Sequence, residues 1–331
     1  MSLQSITQPG AVRTGQFSYM EATVEPSLYR NGQVRLHRDT DATDSGVTGL
    51  VLEEQQMPVQ DARNLGESQT PRLHANGFEL IQLPADIPDI DFLNHDQVVR
   101  RYYPYCADIV REACGARLAA AFDHNIRSAS GHESGRRIEG GQFVQRPVHM
   151  VHADYTLTSG PQRLRDLGNP PTVNDTYRTR LPDGESLLDK AEVDSTLETG
   201  RFAIVNLWQN IAPEPVAVHP LALCDANSVH PDDLVVFEIH YVDRIGENYF
   251  ARHSHNHRWY FYPALTRNEA VLIKQWDSAG GLARSNGKRP DSMNPGAPCT
   301  FSFHTAFVDP ATEPDAPDRW SLEVRCVALY D

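Results

Sequence analysis

The 331-residue chain contains no apolar run approaching the ~20 residues that a membrane-spanning helix needs. Its opening Met1-Ser2-Leu3-Gln4 starts no signal-type apolar stretch. Positive charge is scarce too. The 30 Lys and Arg against 44 Asp and Glu leave a formal net charge of −14, whereas a nucleic-acid surface needs clustered cations to neutralise phosphates. These deficits predict a cytoplasmic protein that engages neither membrane nor nucleic acid. Cysteine is sparse: Cys106, Cys114, Cys224, Cys299 and Cys326 are odd in number and lack metal-type pairing, which points to a reduced compartment. There is no internal repeat and no phosphate-cradling glycine loop. What remains is long enough to bury a full core as one domain, 1–331.

Residues 1–85 read as extended additions, with Gln16 to Met20 and Gly49 to Leu52 between polar turns. They are expected to add edge strands. Residues 86–146 should supply helical support and the first core strand. Pro104 at a first turn, Gly115 as C-terminal cap and the helical spacing of Cys106, Ile109, Val110 and Ala113 predict a helix over 104–114. The core proper is placed at 147–331. It is interrupted at 159–200 by a Pro-, Asp- and Glu-rich insertion that reads either as a lid or as a surface elaboration.

His-x-Asp occurs three times, at His37/Asp39, His152/Asp154 and His230/Asp232, and about one match is expected by chance. The first lies in a polar stretch running to Asp44, Ser45 and Gly46 that reads as a solvated loop, and Pro231 interrupts the third. The second sits in Val148-His149-Met150-Val151-His152-Ala153-Asp154-Tyr155-Thr156-Leu157, rich in β-branched and aromatic residues. Alternation along such a strand puts Val148, Met150, His152 and Asp154 on one face. An imidazole and a carboxylate two residues apart are two thirds of the two-His, one-carboxylate face that binds non-haem iron(II) and leaves open positions.

The second imidazole has two sources: His304, or the cluster His253, His255 and His257. A strand count favours His304. In a double-stranded β-helix the His-x-Asp strand is second of eight and pairs with the seventh. Counting 147–157, Phe202 to Trp208, Leu234 to Tyr241, His257 to Tyr262, Val271 to Trp276, Thr300 to His304 and Trp320 to Tyr330 as strands two to eight puts His304 on the seventh. On the eighth, Arg319 and Ser321 share a face with Glu323 and Arg325. A guanidinium there can hold a carboxylate through two parallel hydrogen bonds. The competing reading is a surface Arg319 paired with Asp315 or Asp318, and Arg325 reads as a solvated or ion-paired strand-end residue rather than a ligand.

Several segments, in order over residues 85 to 331, resemble the fungal hydroxylase/desaturases, gibberellin desaturase-like proteins and relatives of the cephalosporin methoxylation protein. They include Arg146-Pro147-Val148 through Thr156, Val205 to Trp208, Pro220 to Asp225, His257 to Pro263, Lys274 to Ser278, His304 to Phe307 and Arg319 to Arg325. One departure is Asn206-Leu207-Trp208-Gln209-Asn210, where that family leads one to expect Asn-x-Trp-Arg-Pro.

The resemblance implies a mainly β, double-stranded β-helix (jelly-roll) fold with flanking helices. It implies one iron(II) held by His152, Asp154 and His304, no catalytic side chain beyond these ligands, 2-oxoglutarate held by Arg319 and Ser321, and O2. The implied activity is oxidation of an unactivated C–H bond of a small specialised metabolite, by hydroxylation, desaturation or oxidative ring closure. Val148, Met150, Asn206, Trp208 and Tyr260 are the pocket candidates, and a homodimer is possible. Two other classes stay open: a cupin-like metalloenzyme using His253, His255 and His257 without 2-oxoglutarate, and a non-catalytic partner subunit.

Overall fold

The computed structural model describes residues 12–38, 44–85, 87–173, 175–241 and 244–331. Among the described residues fifteen strands form two sheets: β1 (Val12–Met20), β2 (Val34–Arg38), β3 (Asp44–Thr48), β4 (Leu52–Asp61), β5 (Phe78–Gln82), β6 (Leu118–Arg127), β7 (His152–Ala153), β8 (Phe202–Asn210), β9 (Leu221–Cys224), β10 (Leu234–His240), β11 (Ile245–Ala251), β12 (Trp259–Phe261), β13 (Glu269–Asp277), β14 (His304–Ala306) and β15 (Ser321–Leu329). One sheet runs β5-β13-β8-β15-β6 and the other β1-β4-β12-β9-β14-β7-β11-β10-β2-β3.

Within these sheets lies an eight-strand jelly roll made of β6, β7, β8, β9, β12, β13, β14 and β15 in chain order. Its halves are β13-β8-β15-β6 and β12-β9-β14-β7. The His-x-Asp strand β7 is therefore second and pairs with the seventh, β14, in a register that sets His304 opposite His152. The sequence count reached that pairing but mistook the fourth strand. Leu234 to Tyr241 is not core strand four; β9 is. Leu-Ala-Leu-Cys is short and carries no β-branched residue, so it gives a weaker strand signal than Leu-Val-Val-Phe-Glu-Ile. The stretch 234–240 instead pairs with β11 as an inserted hairpin. That hairpin docks on the free side of β7, with Phe250 opposite His152, and β2 and β3 extend it.

The N-terminal strands behave as expected of edge additions, β1 pairing with β4, which lies parallel to β12. Residues 35–38 and 44–46, expected as part of a loop, are a correction: they belong to β2 and β3, an antiparallel pair at the sheet edge. Asp39 lies outside the described residues. The helix Tyr103–Cys114 ends on Gly115 at φ 61°, the left-handed conformation that glycine adopts without strain. Its Tyr103, Cys106, Ile109 and Val110 are buried in one cluster with Leu322, Val324 and Cys326 from the outer face of β15.

Residues 159–200 hold more structure than their composition suggests. Helices Ser159–Leu167 and Lys190–Glu198 form, and Leu164, Leu167, Tyr177, Leu188 and Val193 join that same core cluster. The segment is a packed wall rather than a surface elaboration. It begins one turn after Asp154.

Candidate active site

His152, Asp154 and His304 each direct one ligand atom into a space where all three atoms lie within 4.8 Å. No other such group of three occurs among the described residues. β7 is short because the chain bends after Ala153, and the bend carries Asp154 to the place its carboxylate shares with the two imidazoles. The imidazole rings are 4.3 Å apart, and His152 Nε2 stands 3.7 Å from Asp154 Oδ1. His152 Nδ1 lies 2.8 Å from the Met150 carbonyl. A ring nitrogen facing a carbonyl must carry the proton, which leaves the Nε2 lone pair free. His304 keeps a buried Nδ1 with no hydrogen-bond partner.

Electrostatics make these three groups good ligands. Burial, then the neighbouring His304, pushes His152 down to about 4, and burial lowers His304 as well. Both are neutral at pH 7, as a nitrogen ligand must be. Burial alone would raise Asp154, but Arg325, His304, His152 and Asn206 hold it well below the usual carboxylate range. Two neutral imidazoles and a fixed carboxylate suit a first-row divalent metal with oxygen-binding positions to spare.

The carboxylate is gripped from behind by residues of the facing sheet. Asp154 Oδ2 accepts from Asn206 Nδ2 at 3.0 Å and from Arg325 Nε at 3.0 Å, and its own backbone N–H donates to Gln275 Oε1 at 3.0 Å. Arg325 is anchored by Asp123 at 2.9 Å and Glu323 at 3.1 Å. Asn206 was expected as a pocket contact; it is fully buried and binds the carboxylate instead. Gln275 was not anticipated. Its signal is the polar pair Lys274-Gln275 set between the apolar Val-Leu-Ile and Trp276. Arg325, read as a solvated or ion-paired strand-end residue, instead lies in the middle of β15, and its ion pairs include the candidate ligand Asp154.

Arg319 is 3 % exposed, which removes the surface reading. Asp318, its supposed partner, accepts from Ser128 and Ser130 instead. The Arg319 guanidinium donates one hydrogen bond to the His219 carbonyl, lies 5.6 Å from the Trp208 ring centroid and leaves Nε without a partner. Burial, then the like charge of Arg127, pushes it down to about 9, so at neutral pH it remains a buried cation. No ion pair reaches it among the described residues. Ser321, 1 % exposed, lies two residues on and directly opposite Arg127.

The remaining expected residues divide. Met150 packs against Phe250 and Phe237 of the inserted hairpin, beside His152. Val148 is used through its carbonyl, which accepts from the Ala306 N–H at 2.8 Å. Trp208 lies buried between the sheets, and Tyr260 is half-buried against Phe78, 5.8 Å away. Of the alternative histidines, His257 is engaged elsewhere: its Nδ1 meets Tyr19 and its Nε2 meets Asp233, each at 3.2 Å. His230 caps the short helical turn Pro231–Asp233.

Fold and site together define a jelly-roll protein carrying a two-His, one-carboxylate face. Its chain belongs to the Oxidoreductase/YMDC permease-like domain family, whose model matches residues 17–329. No helix among the described residues is long and apolar enough to cross a membrane. An uncharacterized protein in the dcmA 3' region of Methylophilus leisingeri is 41% identical over 59% of this chain and 89% of its own length. Hydroxylase/desaturase poxK of Penicillium oxalicum is 25% identical over 86% of this chain and 82% of its own. The alpha-ketoglutarate-dependent dioxygenase phiK of a fungal species is 27% identical over 78% and 79%. In three dimensions the chain matches the iron and alpha-ketoglutarate-dependent endoperoxidase NvfI with a TM-score of 0.68, at 18% identity, covering 98% of this chain and 99% of that one. The fold expected from the hydroxylase/desaturase resemblance is thus borne out.

Proposed function

We propose that this protein is an iron(II)- and 2-oxoglutarate-dependent oxygenase that oxidises an unactivated C–H bond of a small specialised metabolite. Its relatives' names support the class. The observation that carries the reading in this chain is the coincidence of two unfinished sites in one barrel: three metal-ligand atoms within 4.8 Å and a buried guanidinium with no anion.

In this reading His152, Asp154 and His304 hold the iron, which supplies oxygen activation coupled to decarboxylation of 2-oxoglutarate to succinate. Arg319 takes the distal carboxylate of the cosubstrate through charge-assisted hydrogen bonds, with the Ser321 hydroxyl beside it. Placing that cation two residues before β15 of the facing sheet fixes which end of the dicarboxylate reaches the metal. Trp208 backs the guanidinium and keeps it dry, which strengthens the pairing. Met150, Phe250 and Phe237 give the metal an apolar flank that excludes water from the reacting centre. Whether the outcome is hydroxylation, desaturation or ring closure depends on how the substrate is held. The protein acts in the cytoplasm as one oxygenase domain.

The test is anaerobic addition of iron(II) and 2-oxoglutarate to the purified protein, followed by oxygen. The expected results are the visible charge-transfer band of a keto-acid chelate and slow, iron-dependent succinate formation, faster when a substrate is supplied. A protein that binds iron but shows neither band nor succinate refutes the reading in favour of a 2-oxoglutarate-independent metalloenzyme. One that binds no iron refutes it in favour of a non-catalytic subunit.

A further inference from the structure

We infer that Arg325 and Asn206 are positioning residues that hold Asp154 in a one-oxygen, metal-directed pose; this rests on the proposed metal site. A carboxylate can chelate an ion through both oxygens, and doing so would consume a position that a two-His, one-carboxylate centre keeps open. Here the two oxygens have different surroundings. Oδ1 faces His152 Nε2 at 3.7 Å, while Oδ2 is committed to Asn206 Nδ2 and Arg325 Nε, both at 3.0 Å.

Neither donor is free to leave. Arg325 is pinned by Asp123 and Glu323 at 2.9 and 3.1 Å, and the Asn125 amide, turned to satisfy its neighbours, accepts from the same guanidinium at 2.7 Å. Asn206 is fully buried in the middle of β8. Directly across the ladder from it stands Arg325, so adjacent strands deliver both donors to one oxygen. The grip comes from β8 and β15, whereas the ligand belongs to the bend after β7. Carboxylate rotation is thereby locked by the opposite wall of the barrel.

The experiment is cobalt(II) binding to the metal-free full-length protein, read by titration and by the intensity of the visible cobalt bands, with melting temperature measured in parallel. The variants are Asn206→Leu, which removes one donor at similar volume, and Arg325→Lys, which keeps the charge but loses the fork. Loss of such an outer partner typically weakens metal binding by about 10- to 100-fold. That loss is expected in Asn206→Leu together with weaker cobalt bands, as a freed second oxygen raises the coordination number. Arg325→Lys should recover affinity in part without restoring the band intensity. Cobalt affinity and spectra equal to wild type in variants that fold would overturn the positioning role and leave the oxygenase reading intact. A wild-type protein that takes up no cobalt at all would overturn both. A shift in melting temperature with unchanged affinity counts as structural only and also refutes the proposal.

Discussion

Two buried charge clusters, one at the start of β8 and one around Asp154 against the middle of the same strand, differ in how completely they are paired. At the β8 start, Asp277 receives Lys274 Nζ at 3.0 Å, Arg201 Nη2 and Nε at 2.8 and 3.1 Å, and the Ala279 N–H at 3.0 Å. Its oxygens are saturated by its own chain, and the Arg201 guanidinium stacks 4.0 Å from the Tyr330 ring centroid. Around Asp154 the same kind of cluster is left unfinished. Asn206 Oδ1, Gln275 Nε2, His304 Nδ1 and Arg319 Nε are all buried without partners. Folding alone penalises such atoms by ~1–3 kcal/mol each. The first cluster is completed by the polypeptide; the second awaits groups that the polypeptide does not supply.

The largest effect expected from that contrast is in the unfinished cluster. His304→Ala should abolish iron-dependent succinate formation and iron retention on dialysis, while the melting temperature changes little, since no protein hydrogen bond reaches its Nδ1. Full iron occupancy in His304→Ala, with loss in His257→Ala instead, would move the site to the other histidine cluster. That outcome is disfavoured because both His257 nitrogens are already engaged.

Next in size is the finished cluster. Asp277→Asn leaves Lys274 and Arg201 without their anion, and breaking a buried pair costs about 3–5 kcal/mol. Denaturant unfolding should show that loss with cobalt affinity unchanged. The sign with pH follows from Asp277 being lowered: burial would raise it, but Lys274 and Arg201 outweigh that. Its stabilisation is present above the unfolded value of ~3.9 and is lost as pH falls through the folded one. Wild type and Asp277→Asn should therefore converge in stability at acid pH, and a constant gap down to pH 2 would remove the assignment.

Arg319→Ala comes third. It should weaken 2-oxoglutarate by ~30- to 1000-fold, equivalent to about 2–4 kcal/mol for a buried charge-assisted clamp. Arg319→Lys should recover only part, because an ammonium lacks the planar fork. Unlike Asp277→Asn, Arg319→Ala should leave stability nearly intact, since its guanidinium has no carboxylate partner to strand. An unchanged Michaelis constant for 2-oxoglutarate would sink the clamp.

How much of this was legible in the sequence follows the same division. Groups placed by short spacing or strand order were readable: His152 with Asp154, although a bend after Ala153 rather than alternation brings the carboxylate round, and His304 by strand count. Contacts across the barrel were not. Asn206 to Asp154 spans 52 residues and Arg325 to Asp154 spans 171, and a period-two pattern on one strand carries no information about which facing strand it meets. Gln275 sits beside a β-bulge between Lys274 and Trp276, which shifts alternation and hides its direction. The inserted hairpin β10–β11 was misplaced because strand propensity measures fit to a pleated surface, not membership of a particular sheet. Residues 159–200 were underread for a related reason. Their helices are short and polar on the surface, and they are held by a few apolar contacts to distant strands rather than by periodicity.

The smallest effect tests that last point. Helix Ser159–Leu167 meets the β13 end through Gly160, where an added Cβ would fall 2.7 Å from Trp276 Cδ2 and 2.9 Å from its Cγ. An indole ring is not the far end of a flexible chain, and Trp276 is itself 2 % exposed, so the helix or the ring must move. Overpacking of this kind costs ~1–3 kcal/mol, set against the ~1 kcal/mol that alanine gains over glycine in a helix. Gly160→Ala should therefore lose up to about 2 kcal/mol in denaturant unfolding if 159–200 is a fixed wall of the core. A lid that spends its time away from the barrel would escape the clash and keep the helix gain. Stabilisation by Gly160→Ala would thus return the segment to the mobile reading, and hydrogen exchange in 159–167 that slows on addition of iron(II) and 2-oxoglutarate would locate the motion.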